Sequence, residues 1–302
     1  MDIYQLSALA AAFCWALNGL VSAGPSGQMG AMAFVRYRQW VTLAMLLIFI
    51  GATALVGREG FGTVDANWWP TIILSGLIGI FLGDSFLFIT LNRLGPRRTA
   101  MLFSCNAPMT AVLGWLVLGE DLVVGEWFGV VLVTIGVMLA IVYGKRKDQL
   151  HHWEDIKGAL WMGVAFGLLA ALGQAVGSLI IRPVMQSSAD PVTISAMRVG
   201  VAGICLSLVG LLPIAALKAK VPMTPRLFAV VCLSAFLAMA LGMTLLLYGF
   251  SGGETGIIAT LSATTPALLL PLIWLKTGER PAAGAFAGAA LVVVGSGLIF
   301  QA

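Results

Sequence analysis

The sequence predicts an all-α membrane protein: ten transmembrane helices arranged as two inverted five-helix repeats. Three observations lead there. Apolar runs of about 20 residues, enough to cross a bilayer, recur ten times along the 302 residues. The end of each half is written twice. Lys and Arg crowd into alternate loops.

Composition sets the frame. Hydrophobic residues make up 60% of the chain and charged residues 10%, with a mean hydropathy of +0.99. Soluble domains carry about 25% charge, so this is no water-facing surface. The first apolar run is expected to stay in the protein, because its leading segment holds Asp2 and no Lys or Arg. Cys14, Cys105, Cys205 and Cys232 all lie in apolar runs without metal-ligand spacing and read as soft packing residues. The net charge of +4 sits in loops. It sets orientation and does not point to nucleic acid.

The spans fall at about 4–23, 30–56, 69–91, 98–118, 123–143, 158–181, 190–216, 227–250, 255–275 and 282–300. A charged stretch, 144–157, divides repeat 1–143 from repeat 158–302 and reads as a solvated linker, including His151 and His152. In the duplicated ends, Gly119, Glu120, Gly125, Gly129 and Gly136 fall at one offset on Gly278, Glu279, Gly284, Gly288 and Gly295. Leu82-Gly83 falls on Leu241-Gly242 at the same offset, and Pro108 matches Pro266 one residue out of step. This is the signature of a fused duplication.

Five is odd, so two five-span halves joined head to tail enter the membrane from opposite sides. Loops 3–4, 5–6, 7–8 and 9–10 carry twelve Lys and Arg, from Arg93 to Arg280, against Arg58 and Arg182 on the other face. The rich face is expected to be cytoplasmic and both termini outside. Inverted halves can pack in two pseudo-equivalent ways. Exchanging them opens the centre first to one side and then to the other.

Thirty-six glycines, many of them mid-span, permit close helix approach. The GxxxG pairs Gly125/Gly129 and Gly284/Gly288 read as a static scaffold or a dimer face, leaving monomer and homodimer both open. Pro108 and Pro266 read as mid-span prolines that kink the fourth and ninth helices. Polar neighbours, among them Ser104, Asn106 and Thr110, suit either a cavity lining or helix-to-helix contact.

Ionisable groups at bilayer depth cost about 2.5–3.5 kcal/mol each on insertion scales and need a reason. Asp84, Arg36 and Arg38 lie at similar depth, so Asp84 can pair with one of these arginines or serve gating or proton transfer. Arg198 has Met243 where the repeat would place an acid, and so no evident acidic partner. It suits a bidentate grip on a substrate carboxylate, or snorkelling to headgroups. Asn18 and Gln174 are mid-membrane amides. Trp15 and Tyr248 can supply apolar walls with a polar edge.

Together, the Gly-Glu opening of spans five and ten, the proline twelve or thirteen residues before that glutamate, and the arginine in spans two and seven (Arg36 and Arg198) resemble the EamA-type repeat of the drug/metabolite transporter superfamily. The likeness runs over both halves and is nearest to the bacterial aromatic amino acid exporters. It implies a bacterial inner-membrane transporter that exports small metabolites such as amino acids through a central cavity. The positions carried over are Arg36, Arg198, Pro108, Pro266, Glu120 and Glu279. The last two are expected to cap the helices that follow.

Other classes find little support. No HExxH, nucleophile–base pair or phosphate loop is present, so neither an enzyme nor a nucleotide-driven pump is expected. Only Asp84 lies deep in a span, where an intramembrane aspartyl protease needs two aspartates. No metal or cofactor is expected. The remaining alternative is a proton-coupled exporter of drugs or organic cations using Asp84.

Overall fold

The computed structural model describes residues 2–55, 64–118, 123–143, 155–187, 189–252, 258 and 261–300. Gly119, Glu120, His151, His152 and most of the 144–157 linker lie outside them.

Among the described residues all regular structure is helical. Helix α1 (Ile3–Met29) opens on a capping box: the Asp2 carboxylate accepts from the Gln5 N–H, and the Gln5 side chain accepts from the Asp2 N–H. It is followed by α2 (Ala31–Ala54) and α3 (Trp69–Ser75). Helix α3 runs through a π-helical segment, Gly76–Leu82, into α4 (Gly83–Phe103). Then come α5 (Asn106–Leu113), α6 (Val124–Tyr143), α7 (Leu160–Gln186) and α8 (Pro191–Gly210). Helix α9 (Pro225–Ala235) passes through a second long π segment, Phe236–Met243, into α10 (Thr244–Gly252). Helices α11 (Thr265–Thr277) and α12 (Ala283–Phe300) end the bundle.

Among the described residues, seven helical stretches are long and apolar enough to span a membrane, and three shorter apolar helices accompany them. One long stretch, 66–103, takes in the third expected span and the start of the fourth. The expected 3–4 loop shrinks to Gly95, whose φ of 79° breaks the helix before Pro96. Only glycine takes that backbone at little cost. The expected fourth span is broken again at Ser104 and Cys105.

Pro108 is the third residue of α5, and Pro266 the second of α11. The helix is interrupted at Ser104-Cys105 and at Ala263-Thr264, within a turn before each proline, while Ser104, Cys105 and Thr264 keep αR backbone. That is where a missing N–H and the ring disturb a helix.

Connections cluster at one end. The Lys220 N–H donates to the Met29 carbonyl at 3.0 Å, and that of Lys157 to Arg93 at 2.9 Å. Ser26 and Asn92 join α1 to α4 there. The basic loops therefore share an end. Exposed aromatics ring both ends: Trp69 and Trp127 at one, Tyr143, Trp161 and Trp274 at the other. Such belts mark the two bilayer interfaces.

Glycines set the tightest crossings. Gly79 and Gly83 of the first π segment and its exit face Gly177 and Gly173 of α7. A Cβ on Gly177 would lie 2.6 Å from the Gly79 Cα. Helices α6 and α12 cross antiparallel. Gly129 backs onto Gly295 and Gly136 onto Gly288, with an added Cβ 2.5–2.7 Å from the facing carbonyl oxygen. Gly284 joins them against the Tyr143 carbonyl oxygen, so the Gly284/Gly288 pair of α12 is used in full, whereas Gly125 of α6 meets open space. These glycines are thus packed within the chain.

Replacing Gly136 with Val forces a side chain into backbone. The expected loss is at least 1–3 kcal/mol, read as a melting temperature several degrees lower in detergent. Gly125→Val leaves it unchanged.

Candidate functional site

The centre of the bundle holds a cavity of about 410 Å³. Most of the helices contribute to it. Trp15 and Asn18 come from α1, Arg38 from α2, Asp84 and Phe88 from α4, Asn106 from α5, Gln174 from α7 and Arg198 from α8. Seven of the expected site residues therefore meet around one space. Four do not. Arg36 lies against Gly210 and the Tyr37 ring. Tyr248 stacks on Tyr4 at 5.2 Å near the bundle end. Pro108 and Pro266 are buried but off the lining.

One carboxylate dominates the centre. The Arg38 guanidinium donates to Asp84 Oδ2 and forms an ion pair with it. Gln39 Nε2 donates to the same oxygen at 2.7 Å. The Arg38 guanidinium also lies over the Phe88 ring, 4.6 Å from its centroid. Arg198, which the sequence left without an acid, acts on Asp84 through its charge from the opposite half of the chain. Pairing by helix position explains why Arg38, not Arg36, is the counterpart of Arg198. Arg38 is seven residues beyond Ala31, the first residue of α2, and Arg198 is seven beyond Pro191, the first of α8. Met243, which stands where the repeat would put a second acid, lines the cavity.

Arg198 is 2% exposed, its Nε has no partner, and it makes no hydrogen bond among the described residues. Its guanidinium rests beside Gly79, where a Cβ would come within 3.1 Å. A buried cation without donors satisfied is costly. The lining carries Arg38, Arg182 and Arg198 against Asp84 and Glu126, three positive groups against two negative, leaving one excess positive charge.

The amides are partly committed. Asn18 Oδ1 accepts from Ser22 and Ser234 at 2.8 and 2.7 Å. Its Nδ2 has no partner among the described residues and faces the cavity. Trp15 Nε1 donates 2.9 Å to the Ala238 carbonyl in the second long π segment. Gln174 donates weakly to Ser178 at 3.4 Å, and Asn106 donates to the Phe103 carbonyl at 2.7 Å.

Sequence reading missed the π segments. A short one, Gly114–Leu118, follows α5; the two long ones lie at 76–82 and 236–243, which overlap at the offset of 159 that brings Leu82-Gly83 onto Leu241-Gly242. Such segments are rare and frequent at functional sites. The clustered glycines at Gly76, Gly79 and Gly83 were the available signal. Glu126, also unanticipated, accepts from the Val123 N–H at 2.7 Å and so holds the start of α6.

A bundle of membrane-length helices around a charged cavity defines a multi-pass membrane protein. The chain belongs to the EamA-like transporter family, whose model matches residues 3–142 and 161–301. It is 26% identical to the solute carrier family 35 member B1 homolog of Drosophila melanogaster over 127 residues, 41% of this chain and 36% of that protein. The matched stretch thus spans about a third of that relative. A solved crystal structure shares the fold at 16% identity, with a TM-score of 0.72 over 98% of this chain and 95% of that one.

Asp84→Leu strands two buried arginines, and about 3–5 kcal/mol of stability is expected to be lost. Adding Arg38→Met recovers part of it. Thermal unfolding of the three proteins in one detergent checks the order.

Proposed function

We propose that the chain is a secondary transporter of the bacterial inner membrane that exports small carboxylate-bearing metabolites, amino acids among them, by alternating access. Its ten helices form two inverted repeats, 1–143 and 158–302, joined by the 144–157 linker, with both termini outside. The carrying observation is Arg198, a buried cation lining the cavity with its donors unused. Asn18 Nδ2 suits a second contact to the solute. Trp15, Phe88 and Phe103 supply apolar wall that suits an aromatic side chain.

Several features support the inverted arrangement. The offset of 159 carries Gly129 onto Gly288 and Gly136 onto Gly295, yet Gly129 touches Gly295 and Gly136 touches Gly288. Each glycine packs on the counterpart of the other, as a two-fold axis between them requires. The pairing of α1 with α9–α10 and of α7 with α3–α4 is reciprocal in the same sense. The two stretches matched by the family model fall on either side of the linker.

Asp84 acts as an internal stand-in for the solute. A carboxylate arriving at Arg198 replaces the pull of Asp84 and relaxes the tie between the halves. The halves are then free to exchange packings around the occupied site. Proton-coupled export of an organic cation is the second reading, because Asp84 is a carboxylate at the cavity. The single excess positive charge disfavours it.

Proteoliposomes separate the two. Arg198→Ala is expected to lower transport of a carboxylate amino acid at least tenfold while the protein stays folded, and Arg198→Lys to fall between. Undiminished transport by Arg198→Ala sinks the clamp. If Asp84→Asn abolishes dependence on a pH gradient for a cationic solute, the second reading replaces the first. Impermeant labels at cysteines placed at residues 2 and 157 are expected to react from opposite faces.

A further inference from the structure

The structure points to a second binding site, outside the central cavity, that neither the family nor the transport reading assigns. We infer that the groove between α1, α9 and α11 at the basic end binds an anionic phospholipid. It has a volume of about 550 Å³. Its walls are apolar: Val21 and Pro25 from α1, and Leu227 and Val230 from α9. Gly24 opens its floor, since a Cβ there would meet nothing within 4 Å. Two cations stand in its lining. Arg226 is exposed, and Lys276 Nζ reaches the Leu20 carbonyl at 3.3 Å.

An apolar trough edged by two cations matches the two chemistries of a phospholipid, acyl chain and phosphate. A soluble anion would leave the walls unused. Depth agrees, because exposed Trp274, with the Arg280 guanidinium 5.5 Å from its ring centroid, marks the interface beside Lys276.

The repeat supplies an internal control. At the offset of 159, Asn67 stands for Arg226 and Val117 for Lys276. Helix capping does not need the cations: Asp65 caps its turn in the first half as Thr224 caps α9 in the second. The fold is thus built without these charges where it faces the other leaflet. Their presence at the basic end alone fits recognition of the anionic inner surface.

Native mass spectrometry of the detergent-purified protein, titrated with equal phosphatidylglycerol and phosphatidylcholine, tests this. The wild type is expected to retain phosphatidylglycerol preferentially. The Arg226→Gln/Lys276→Gln double variant should lose about tenfold of that preference, and Arg226→Gln alone part of it. A control of equal charge loss, Arg93→Gln/Lys157→Gln, should keep it. Preference retained by the first double variant, or lost equally by the control, overturns the proposal. So does displacement of the lipid by soluble glycerol phosphate at comparable concentration, which would make this a free-anion site.

Discussion

Everything central to this molecule depends on one carboxylate paired with an arginine of its own half and subject to the charge of a second, from the opposite half. Moving such ions out of water costs several kcal/mol each, and apolar residues of like volume would often be as stable. Stability therefore does not account for Arg38, Asp84 and Arg198. Their arrangement makes sense if the charges are meant to change partners. Arg38 and Gln39 bind the carboxylate directly, while Arg198 acts on it only through its charge, so one arginine of the cluster is engaged and the other keeps its donors open. The open one lines the cavity.

The surrounding fold serves that cluster. Close glycine contacts bring α7 against the long π segment of the first half, and the same contacts seat the Arg198 guanidinium beside Gly79. The π segments widen the helix locally and free carbonyls such as that of Ala238, which Trp15 takes up. At the basic end, hydrogen bonds between Met29 and Lys220 and between Arg93 and Lys157 fasten loops together. The cavity is thus walled by helices that are tightly packed near glycine and loosely wound one turn away.

Much of this was written in the chain. Apolar length and the doubled Gly-Glu ends foretold helices and repetition, because burial in lipid leaves few other options. Depth alone correctly brought Asp84 and Arg38 together. It could not choose between Arg36 and Arg38, because residues two apart point to different sides of a helix, and only the position of the helix start decides which one turns inward. Arg198 looked unpartnered, and it makes no ion pair among the described residues; the carboxylate whose charge it feels lies in the other half, which spacing along one half cannot reveal. The breaks at Ser104-Cys105 and before Thr265 carry no glycine; the signals there are Pro108 and Pro266 themselves and Asn106, whose amide donates across the first break to the Phe103 carbonyl. Tyr248, expected as an apolar wall with a polar edge, instead packs its ring against Tyr4, off the cavity lining.

The swapped glycine contacts between α6 and α12 have an evolutionary side. After a duplication, most positions of the two copies are free to drift apart, as Asp84 and Met243 have done. At the seam, however, a methyl gained in one copy strikes the backbone of the other, and no compensating deletion exists below glycine. These four positions bind the two copies to a shared history. Divergence had to be spent elsewhere, on the cavity wall and the loops, where one half could acquire a charge that the other never received.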